Sequence, residues 1–298
     1  MRYHKSVLLN ESIKGLNINP DGIYVDVTFG GGGHSERILQ YLDSGRLFAF
    51  DMDLDVRRNI LERKNFKLLR ANYRNIRRFL RAENILQVDG ILADLGVSSY
   101  QIDASDRGFS FRFDNDLDMR MNQSASLTAK EVINDYSFED LSNIFYKYGE
   151  IRDAKKVADR ITSRRCEKEI RTTFDLVRLL DGLYNKRKRN QFLAQVFQSI
   201  RIEVNDEVES LKLMLEQGAS LLKCKGRFVV ISYHSLEDRL VKNLFKKGNV
   251  EGRLEKDFFG NKIQNLHQVN KKVITPLESE VQDNNRSRSA KLRIAEKV

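Results

Sequence analysis

Four consecutive glycines, Gly30–Gly33, constrain the fold of this 298-residue chain more than any other feature of its sequence. The apolar segment 23–29 before them is typical of a buried strand, and the pattern of residues 35–42 after them predicts a helix. Glycines can adopt positive φ angles and let the backbone approach a ligand closely, and a helix points its free N–H groups at such a ligand. A strand, a glycine turn and a helix in this order predict a site for a nucleotide-like ligand.

Short apolar segments alternate with helical ones along the first hundred residues and again near the C-terminus. We expect further strands at residues 47–50, 66–69, 91–93, 228–232 and 291–296. Strands that are separated by helices form parallel sheets in α/β domains. The predicted fold class is therefore α/β, with a Rossmann-like sheet that is mostly parallel. We also expect its last strand to run antiparallel.

A long segment without strand signals interrupts this pattern. Between residues 107 and 205 the apolar residues recur at the spacing of amphipathic helices, for example in 151–161 and 192–200. Thr172 or Thr173 is expected to cap a helix between these two. We therefore predict one α/β domain, formed by residues 1–106 and 206–298, and a helical insertion formed by residues 107–205.

Composition and cysteine placement exclude several classes of protein. No apolar stretch approaches the roughly 20 residues of a membrane helix, and the N-terminal residues lack the pattern of a secretory signal. Cys166 and Cys224 stand far apart, without a CxxC motif or a neighbouring histidine. We therefore predict no metal site, no disulfide framework and a cytoplasmic location.

The residues around the glycines favour one cofactor over two others. A dinucleotide fingerprint GxGxxG that begins at Gly30 would need glycine at position 35, where the chain has Ser35. A phosphate-binding P-loop would need a lysine after its last glycine, where the chain has His34. S-adenosylmethionine carries no phosphate and suits a short turn of acidic and glycine residues. We therefore expect S-adenosylmethionine as the cofactor, with a nicotinamide-dependent oxidoreductase as the alternative.

Three aspartates lie in or directly after the predicted strands. Asp26 precedes the glycines, Asp51 ends the second strand and Asp94 ends the fourth. Asp51 comes 18 residues after Gly33, where a carboxylate can accept hydrogen bonds from both hydroxyls of a ribose. Asp94 is expected beside the reactive methyl group. The alternative role for each aspartate is to cap the helix that follows it.

Longer motifs link the chain to a known family. They are HKSVLL at 4–9, DLGVSS at 94–99, RGFSF at 107–111, LDMRM at 117–121, HSLEDR at 234–239 and RSRS at 286–289. In these motifs and in their order, the chain resembles the bacterial ribosomal RNA small subunit methyltransferase H family along nearly its whole length.

The resemblance implies a class I methyltransferase fold with a helical insertion that recognises the substrate. It implies methyl transfer from S-adenosylmethionine to the N4 amine of a cytidine in the decoding region of 16S ribosomal RNA, within the small ribosomal subunit. By position in the family's motifs, it implies cofactor contacts by Gly32, Gly33, His34, Asp51, Tyr73, Asp94 and Gln101. Tyr100 and Asn285 replace prolines that are usual in the family, and Tyr233 replaces a phenylalanine, so loop geometry is expected to differ there.

The chemistry of such a substrate points to Asp94 as the candidate catalytic residue. The N4 amine of cytosine is a poor nucleophile because its lone pair is delocalised into the ring. An acceptor that is bonded to the N4 hydrogens turns this lone pair toward the methyl group and stabilises the developing positive charge. We expect Asp94 or a nearby backbone carbonyl to be that acceptor.

Three phenylalanines and two histidines are further candidates. Phe109, Phe111 and Phe113 alternate along the chain, and one of them is a candidate to stack on the target base, with core packing as the alternative. His34 and His234 are candidate proton acceptors, with local hydrogen bonding at a helix start as the alternative.

The formal net charge of +10 favours a polyanionic partner. Residues 57–81 contain ten basic residues and one acid, and residues 147–201 contain 15 basic residues, including the run Lys186–Arg189. Both are candidate RNA-binding surfaces, with a solvated helix face as the alternative.

A methyltransferase-fold RNA-binding protein without catalysis is the second alternative function, besides the nicotinamide-dependent oxidoreductase. We expect a monomer or a homodimer.

Overall fold

The computed structural model describes residues 6–97, 107–260 and 262–298, without the side chains of residues 54, 57 and 58. The chain forms two compact units, residues 1–96 with 208–298 and residues 97–207. The predicted insertion, 107–205, lies inside the second unit. In the described part of the chain, no helix has the length and apolarity that crossing a membrane requires.

The first unit contains a sheet with the strand order β3-β2-β1-β4-β5-β7-β6. The strands are β1 (Ile23–Asp26), β2 (Arg46–Asp51), β3 (Phe66–Arg70), β4 (Val88–Asp94), β5 (Leu222–Ser232), β6 (Leu266–Gln268) and β7 (Lys291–Lys297). Strands β1 to β5 pair in parallel, and β7 pairs antiparallel with both β5 and β6. This sheet confirms the predicted fold class, including its antiparallel last strand.

Both faces of the sheet are buried, each under its own helices. Successive side chains of a strand point to opposite faces, so neighbouring residues belong to different cores. Ile91 and Phe228 belong to one apolar core, and Leu92 and Val229 belong to the core on the other face. The helices Ile76–Ala82, Glu207–Leu221 and Ser235–Lys247 contribute to the first of these cores. The helices Leu9–Leu16 and Gly33–Leu39 contribute to the second. A further short helix is Glu278–Asp283.

Three strands differ by three or more residues from their predicted bounds, and one of them, β4, begins at Val88 instead of residue 91. Strand β1 ends at Asp26 instead of residue 29, although the Val27 and Phe29 N–H groups still donate to the Leu92 and Phe50 carbonyls. Strand β5 begins at Leu222 instead of residue 228. Its early start includes a bulge, because Val88 pairs with Leu222 and Gly90 already pairs with Arg227.

The second unit is helical in its described residues and has a core of its own. Its α-helices are Ala129–Asp135, Phe138–Lys147, Ala154–Arg165, Thr173–Leu179 and Arg189–Asn205. Leu141, Val157 and Val196 are fully buried in that core. Of the two predicted caps, Thr172 is the one used: its hydroxyl accepts from the Asp175 N–H, and the Asp175 carboxylate accepts from the Thr172 N–H.

Candidate active site

The glycine turn stands where ligands bind in such sheets. Strands β2 and β4 flank β1 on opposite sides. The chain runs from β1 outward to β2 and β3 and then returns to β4 on the other side of β1. Such a reversal of strand order leaves a crevice at the carboxyl end of β1. The helix after the turn begins at Gly33. Gly32, directly before it, has a φ of +79°, a conformation that L side chains rarely adopt and that glycine allows. A Cβ on Gly31 would meet no heavy atom within 4 Å. The turn therefore presents open backbone to a ligand.

Asp51 connects the end of β2 to this turn. Its Oδ2 accepts from the Gly30 N–H at 2.9 Å, and its Oδ1 accepts from the Asp53 N–H at 2.9 Å. Burial raises the pKa of Asp51 to about 6, while these two hydrogen bonds oppose the rise. The carboxylate is therefore oriented and mostly charged at neutral pH, and each oxygen keeps a lone pair for a ligand hydroxyl.

Asp26 has a different role from the other two aspartates. Its side chain is buried, and its oxygens accept from the Thr28 N–H at 3.1 Å and from the Ser35 hydroxyl at 2.7 Å. Burial raises the pKa of Asp26. These bonds hold the end of β1 against the helix after the glycines, so Asp26 stabilises the turn.

Asp94 ends β4 and is held by groups from two neighbouring segments. Its backbone N–H donates to the Thr28 hydroxyl at 2.6 Å, and its Oδ1 accepts from the Tyr233 hydroxyl at 2.7 Å. The side chain is 23% exposed. Burial raises the pKa of Asp94 to about 7, the hydrogen bond from Tyr233 opposes the rise, and the charge of Glu237 adds to it. Near neutral pH this carboxyl is able to take up or release a proton.

His34 borders the same carboxyl from the helix after the glycine turn. Its Nε2 lies 3.1 Å from the Val7 carbonyl, which only accepts, so we assign the proton of the neutral ring to Nε2. The unprotonated Nδ1 then lies 3.7 Å from Asp94 Oδ2, which is longer than a hydrogen bond. Burial lowers the pKa of His34, which keeps the ring neutral.

Comparison with known proteins identifies the family. A sequence model of the MraW methylase family matches residues 1–298. The chain belongs to the MraW methylase family. This membership confirms the resemblance, the methyltransferase class and the expected cofactor, S-adenosylmethionine, and it decides against a nicotinamide-dependent oxidoreductase.

Several curated relatives match the chain over its whole length. The protein named Ribosomal RNA small subunit methyltransferase H from Bacteroides thetaiotaomicron is 54% identical, over 100% of this chain and 98% of the relative. Proteins of the same name from Bacteroides fragilis and Flavobacterium johnsoniae are 54% and 52% identical, over 99% and 100% of this chain and 97% and 99% of their own lengths.

The residues at the crevice fit the cofactor of a methylase family. The open space beside Gly31 leaves the backbone of the turn accessible to a ligand. The Asp51 carboxylate, oriented by Gly30 and Asp53, suits a pair of ribose hydroxyls. Asp94 places a second carboxyl at the end of the adjacent strand β4. Acidic groups suit a cofactor whose sulfur carries a positive charge.

The remaining predicted contacts are placed unevenly. Tyr73 begins a 3-10 turn, Tyr73–Asn75, after β3 and packs against the core that contains Phe50. Gln101 lies outside the described residues. The seven cofactor contacts stay predictions: Gly32, Gly33, His34, Asp51, Tyr73, Asp94 and Gln101.

His234 stands at the start of a helix. The Glu237 carboxylate accepts from the backbone N–H groups of Tyr233 and His234, at 2.8 and 3.3 Å, and so caps the helix Ser235–Lys247. His234 Nε2 lies 3.1 Å from the other Glu237 oxygen. This arrangement favours the local role of His234 over proton acceptance.

The three phenylalanines separate into two groups. Phe109 and Phe111 pack against the core of the second unit, and Phe111 meets Phe197 edge to face with ring centroids 5.6 Å apart. Phe113 is 48% exposed. Packing is therefore the role of the first two, and Phe113 alone among the three is available to stack on a base.

The two basic surfaces also differ. In the first, Arg78 and Arg81 are exposed. The Arg77 N–H, however, donates to Gln217 Oε1, and Gln217 Nε2 donates to the Arg74 carbonyl, so part of that surface packs within the unit. In the second, all four residues of Lys186–Arg189 are exposed.

Two residues of the site escaped the sequence reasoning. Thr28 and Tyr233 bond Asp94, yet nothing in their local sequence indicates a partner 66 or 139 residues away. A weak signal existed for Tyr233: β4 and β5 are neighbours in parallel, with Asp94 opposite Ile231, so the residues just after both strands meet at one edge.

Proposed function

We propose that this protein transfers a methyl group from S-adenosylmethionine to the N4 amine of a cytidine in the decoding region of 16S ribosomal RNA. The relatives' name supports an RNA substrate from the small ribosomal subunit. The observation that carries the proposed chemistry is the carboxyl of Asp94, held by Tyr233 at the end of β4 beside the glycine turn.

The cofactor, when bound, supplies an electrophilic methyl group whose leaving group is a neutral thioether. Asp94 accepts a hydrogen bond from the N4 amine and so turns the nitrogen lone pair toward the methyl group. As the new N–C bond forms, N4 becomes positively charged and gives up one proton. A pKa of about 7 suits the Asp94 carboxylate to take up that proton and then lose it to solvent.

Other groups of the chain hold this acceptor in place. Tyr233 fixes one oxygen of Asp94, and its own pKa, raised by burial and by the Asp94 charge, keeps its hydroxyl protonated. The Thr28 hydroxyl fixes the Asp94 backbone. His34 stays neutral and lines the site beside the second oxygen.

The second unit, which contains the predicted insertion 107–205, is proposed to bind the RNA. The exposed run Lys186–Arg189 suits phosphates, and the exposed ring of Phe113 suits a base. The substrate is proposed to be the 16S ribosomal RNA of the small subunit, and the reaction to take place in the cytoplasm.

The experiment that tests the proposal identifies the methylated atom. The protein is incubated with methyl-labelled S-adenosylmethionine and with either naked 16S ribosomal RNA or small subunits from cells that lack this protein. The RNA is digested to nucleosides, and the label is located by mass spectrometry. The expected product is N4-methylcytidine from a decoding-region fragment. Label on another atom would refute the assigned specificity, and RNA binding without label would favour the non-catalytic alternative.

A further inference from the structure

Two adjacent phenylalanines are exposed in the segment between β5 and β6. Phe258 is 99% exposed and Phe259 is 85% exposed. Their rings lie edge to face with centroids 5.7 Å apart. Phenylalanine stabilises a fold by leaving water, so rings that stay in water contribute almost nothing to this one. The pair therefore requires an explanation outside the folding of the unit.

The turn that carries these rings is built by other residues. The Gly260 N–H donates to the Asp257 carbonyl at 3.0 Å, and the Phe259 N–H donates to the Asp257 carboxylate at 2.9 Å. Asp at the first position and Gly at the last are typical of such turns, and Gly260 has a φ of +83°. Phe258 and Phe259 fill the two corner positions, where polar residues are usual. Turn geometry does not require them.

The surroundings of the turn are basic. Lys256 and Lys262 form an isolated antiparallel β-bridge that joins the two arms of the turn. Both side chains are exposed, and neither has an ion pair among the described residues. Between residues 253 and 272 the basic residues are Arg253, Lys256, Lys262, Lys271 and Lys272, against the two acids Glu255 and Asp257. Exposed aromatic rings between unpaired cations are the combination that binds unpaired nucleic acid, since bases stack on the rings while phosphates meet the cations.

We propose that the Phe258–Phe259 turn is a second RNA contact of this protein, on the unit that contains the methyl-transfer site. Unpaired bases of the substrate stack on the two rings, and the adjacent phosphates bind Lys256 and Lys262. This inference rests on the proposed RNA substrate. Charge favours RNA over an apolar protein partner, because a buried protein interface is depleted of lysine at its centre.

The test replaces rings without removing apolar surface. In one variant Phe258→Leu and Phe259→Leu are combined, and in the other Phe258→Tyr and Phe259→Tyr. Filter binding measures the Kd for 16S ribosomal RNA, and steady-state kinetics measure KM for the RNA and for S-adenosylmethionine. The leucine variant is expected to bind RNA about tenfold more weakly, and the tyrosine variant within about twofold of the parent protein. KM for S-adenosylmethionine is expected to be unchanged in both.

A matched control and a salt series separate this contact from a general surface effect. Tyr41→Leu removes another exposed ring of the same unit, 48% exposed, and is expected to leave RNA affinity unchanged. Lys256→Gln with Lys262→Gln is expected to lower the slope of log Kd against log salt concentration by about 1.4, or about 0.7 for each phosphate that the variant no longer neutralises. The leucine variant is expected to keep the parent slope.

Three results would overturn the inference. One is a leucine variant that binds RNA as tightly as the parent protein, while the parent still methylates the RNA, which leaves the proposed function intact. Another is a parent that self-associates in light scattering, with a leucine variant that is monomeric and unimpaired in RNA binding, since the turn then joins two copies. The third is a parent protein that neither binds nor methylates 16S ribosomal RNA, in which case the proposed function fails as well.

Discussion

The hydroxyl of Tyr233 donates a hydrogen bond to Oδ1 of Asp94, with 2.7 Å between the two oxygens. This bond joins the ends of β4 and β5, which lie side by side in the sheet. Burial raises the pKa of Asp94 to about 7, and the bond from Tyr233 limits that rise because it stabilises the charged carboxylate. The charge of the proposed acceptor near neutral pH therefore depends on Tyr233.

Tyr233→Phe is expected to shift the pH profile of methyl transfer. The acceptor is active as the carboxylate, so activity rises with pH through the pKa of Asp94, which is about 7 in the parent protein. Loss of the hydrogen bond raises that pKa further, so the rising limb of kcat/KM moves to higher pH. We expect several-fold lower activity at about pH 6.5 and near-parent activity at about pH 9. A uniform loss at every pH would assign Tyr233 a purely structural role.

Two substitutions of Asp94 are expected to differ. Asp94→Ala removes the acceptor, and we expect kcat to fall by about 10² to 10³. Asp94→Asn keeps an acceptor oxygen but no titrating group, so it is expected to retain more activity and to lose the pH dependence near 7. Calorimetry of S-adenosylmethionine binding to both variants is the control, because Asp94 is also a predicted cofactor contact. Full activity of Asp94→Ala would refute the catalytic role.

Much of this site follows from the sequence, because the ends of parallel strands meet at one edge of a sheet. A strand before the glycines and aspartates after two further strands were enough to place Gly32, Asp51 and Asp94 at that edge. The same reasoning missed the partners of Asp94, because a bond between Tyr233 and a residue 139 positions away depends on strand register and side-chain packing.

Exposure is the other property that the sequence did not predict. Phe109, Phe111 and Phe113 alternate in the same way along the chain, yet only Phe113 is 48% exposed while the others pack against the helical core. Apolar periodicity indicates which residues can be buried in a common core, and tertiary packing decides which of them are.

Asp51→Asn is expected to weaken cofactor binding more than catalysis. A charged acceptor contributes about 1.5–3 kcal/mol for a hydrogen bond, so we expect the Kd for S-adenosylmethionine to rise about 10- to 100-fold. In the parent protein the affinity is expected to fall as pH drops below about 6, where Asp51 becomes protonated. Calorimetry across pH measures both effects. Asp43→Asn, at an exposed acid of the same unit, is the control.

Substitutions in the glycine turn separate stability from ligand binding. Gly32→Ala places a side chain at φ +79°, so we expect a loss of about 1–2 kcal/mol in the free energy of unfolding. Gly31→Ala meets no neighbour within 4 Å and is expected to leave that free energy unchanged. Its methyl group does enter the space proposed for the cofactor, so S-adenosylmethionine binding is expected to weaken. Unimpaired binding by Gly31→Ala would place the cofactor elsewhere.

The basic run Lys186–Arg189 stands at an unfavourable place for the fold. Lys186–Lys188 form a 3-10 turn, and Arg189 begins the helix Arg189–Asn205, so four exposed cations meet the positive end of a helix dipole. Such charges cost stability there, which favours a role in binding. Lys186→Glu with Lys188→Glu is therefore expected to stabilise the unit by about 0.3–1 kcal/mol and to weaken RNA binding.

A matched pair of substitutions controls for net charge. Lys242→Glu with Lys246→Glu changes the charge equally, on exposed positions of the helix Ser235–Lys247, where Lys246 lies in the last turn and favours the dipole. The midpoint temperature of thermal unfolding, Tm, is expected to rise for the Lys186 and Lys188 pair and to fall for the control pair. The slope of log Kd for RNA against log salt is expected to fall by about 1.4 for the first pair only. Equal slopes for both pairs would show that Lys186–Arg189 is a solvated helix start and not an RNA contact.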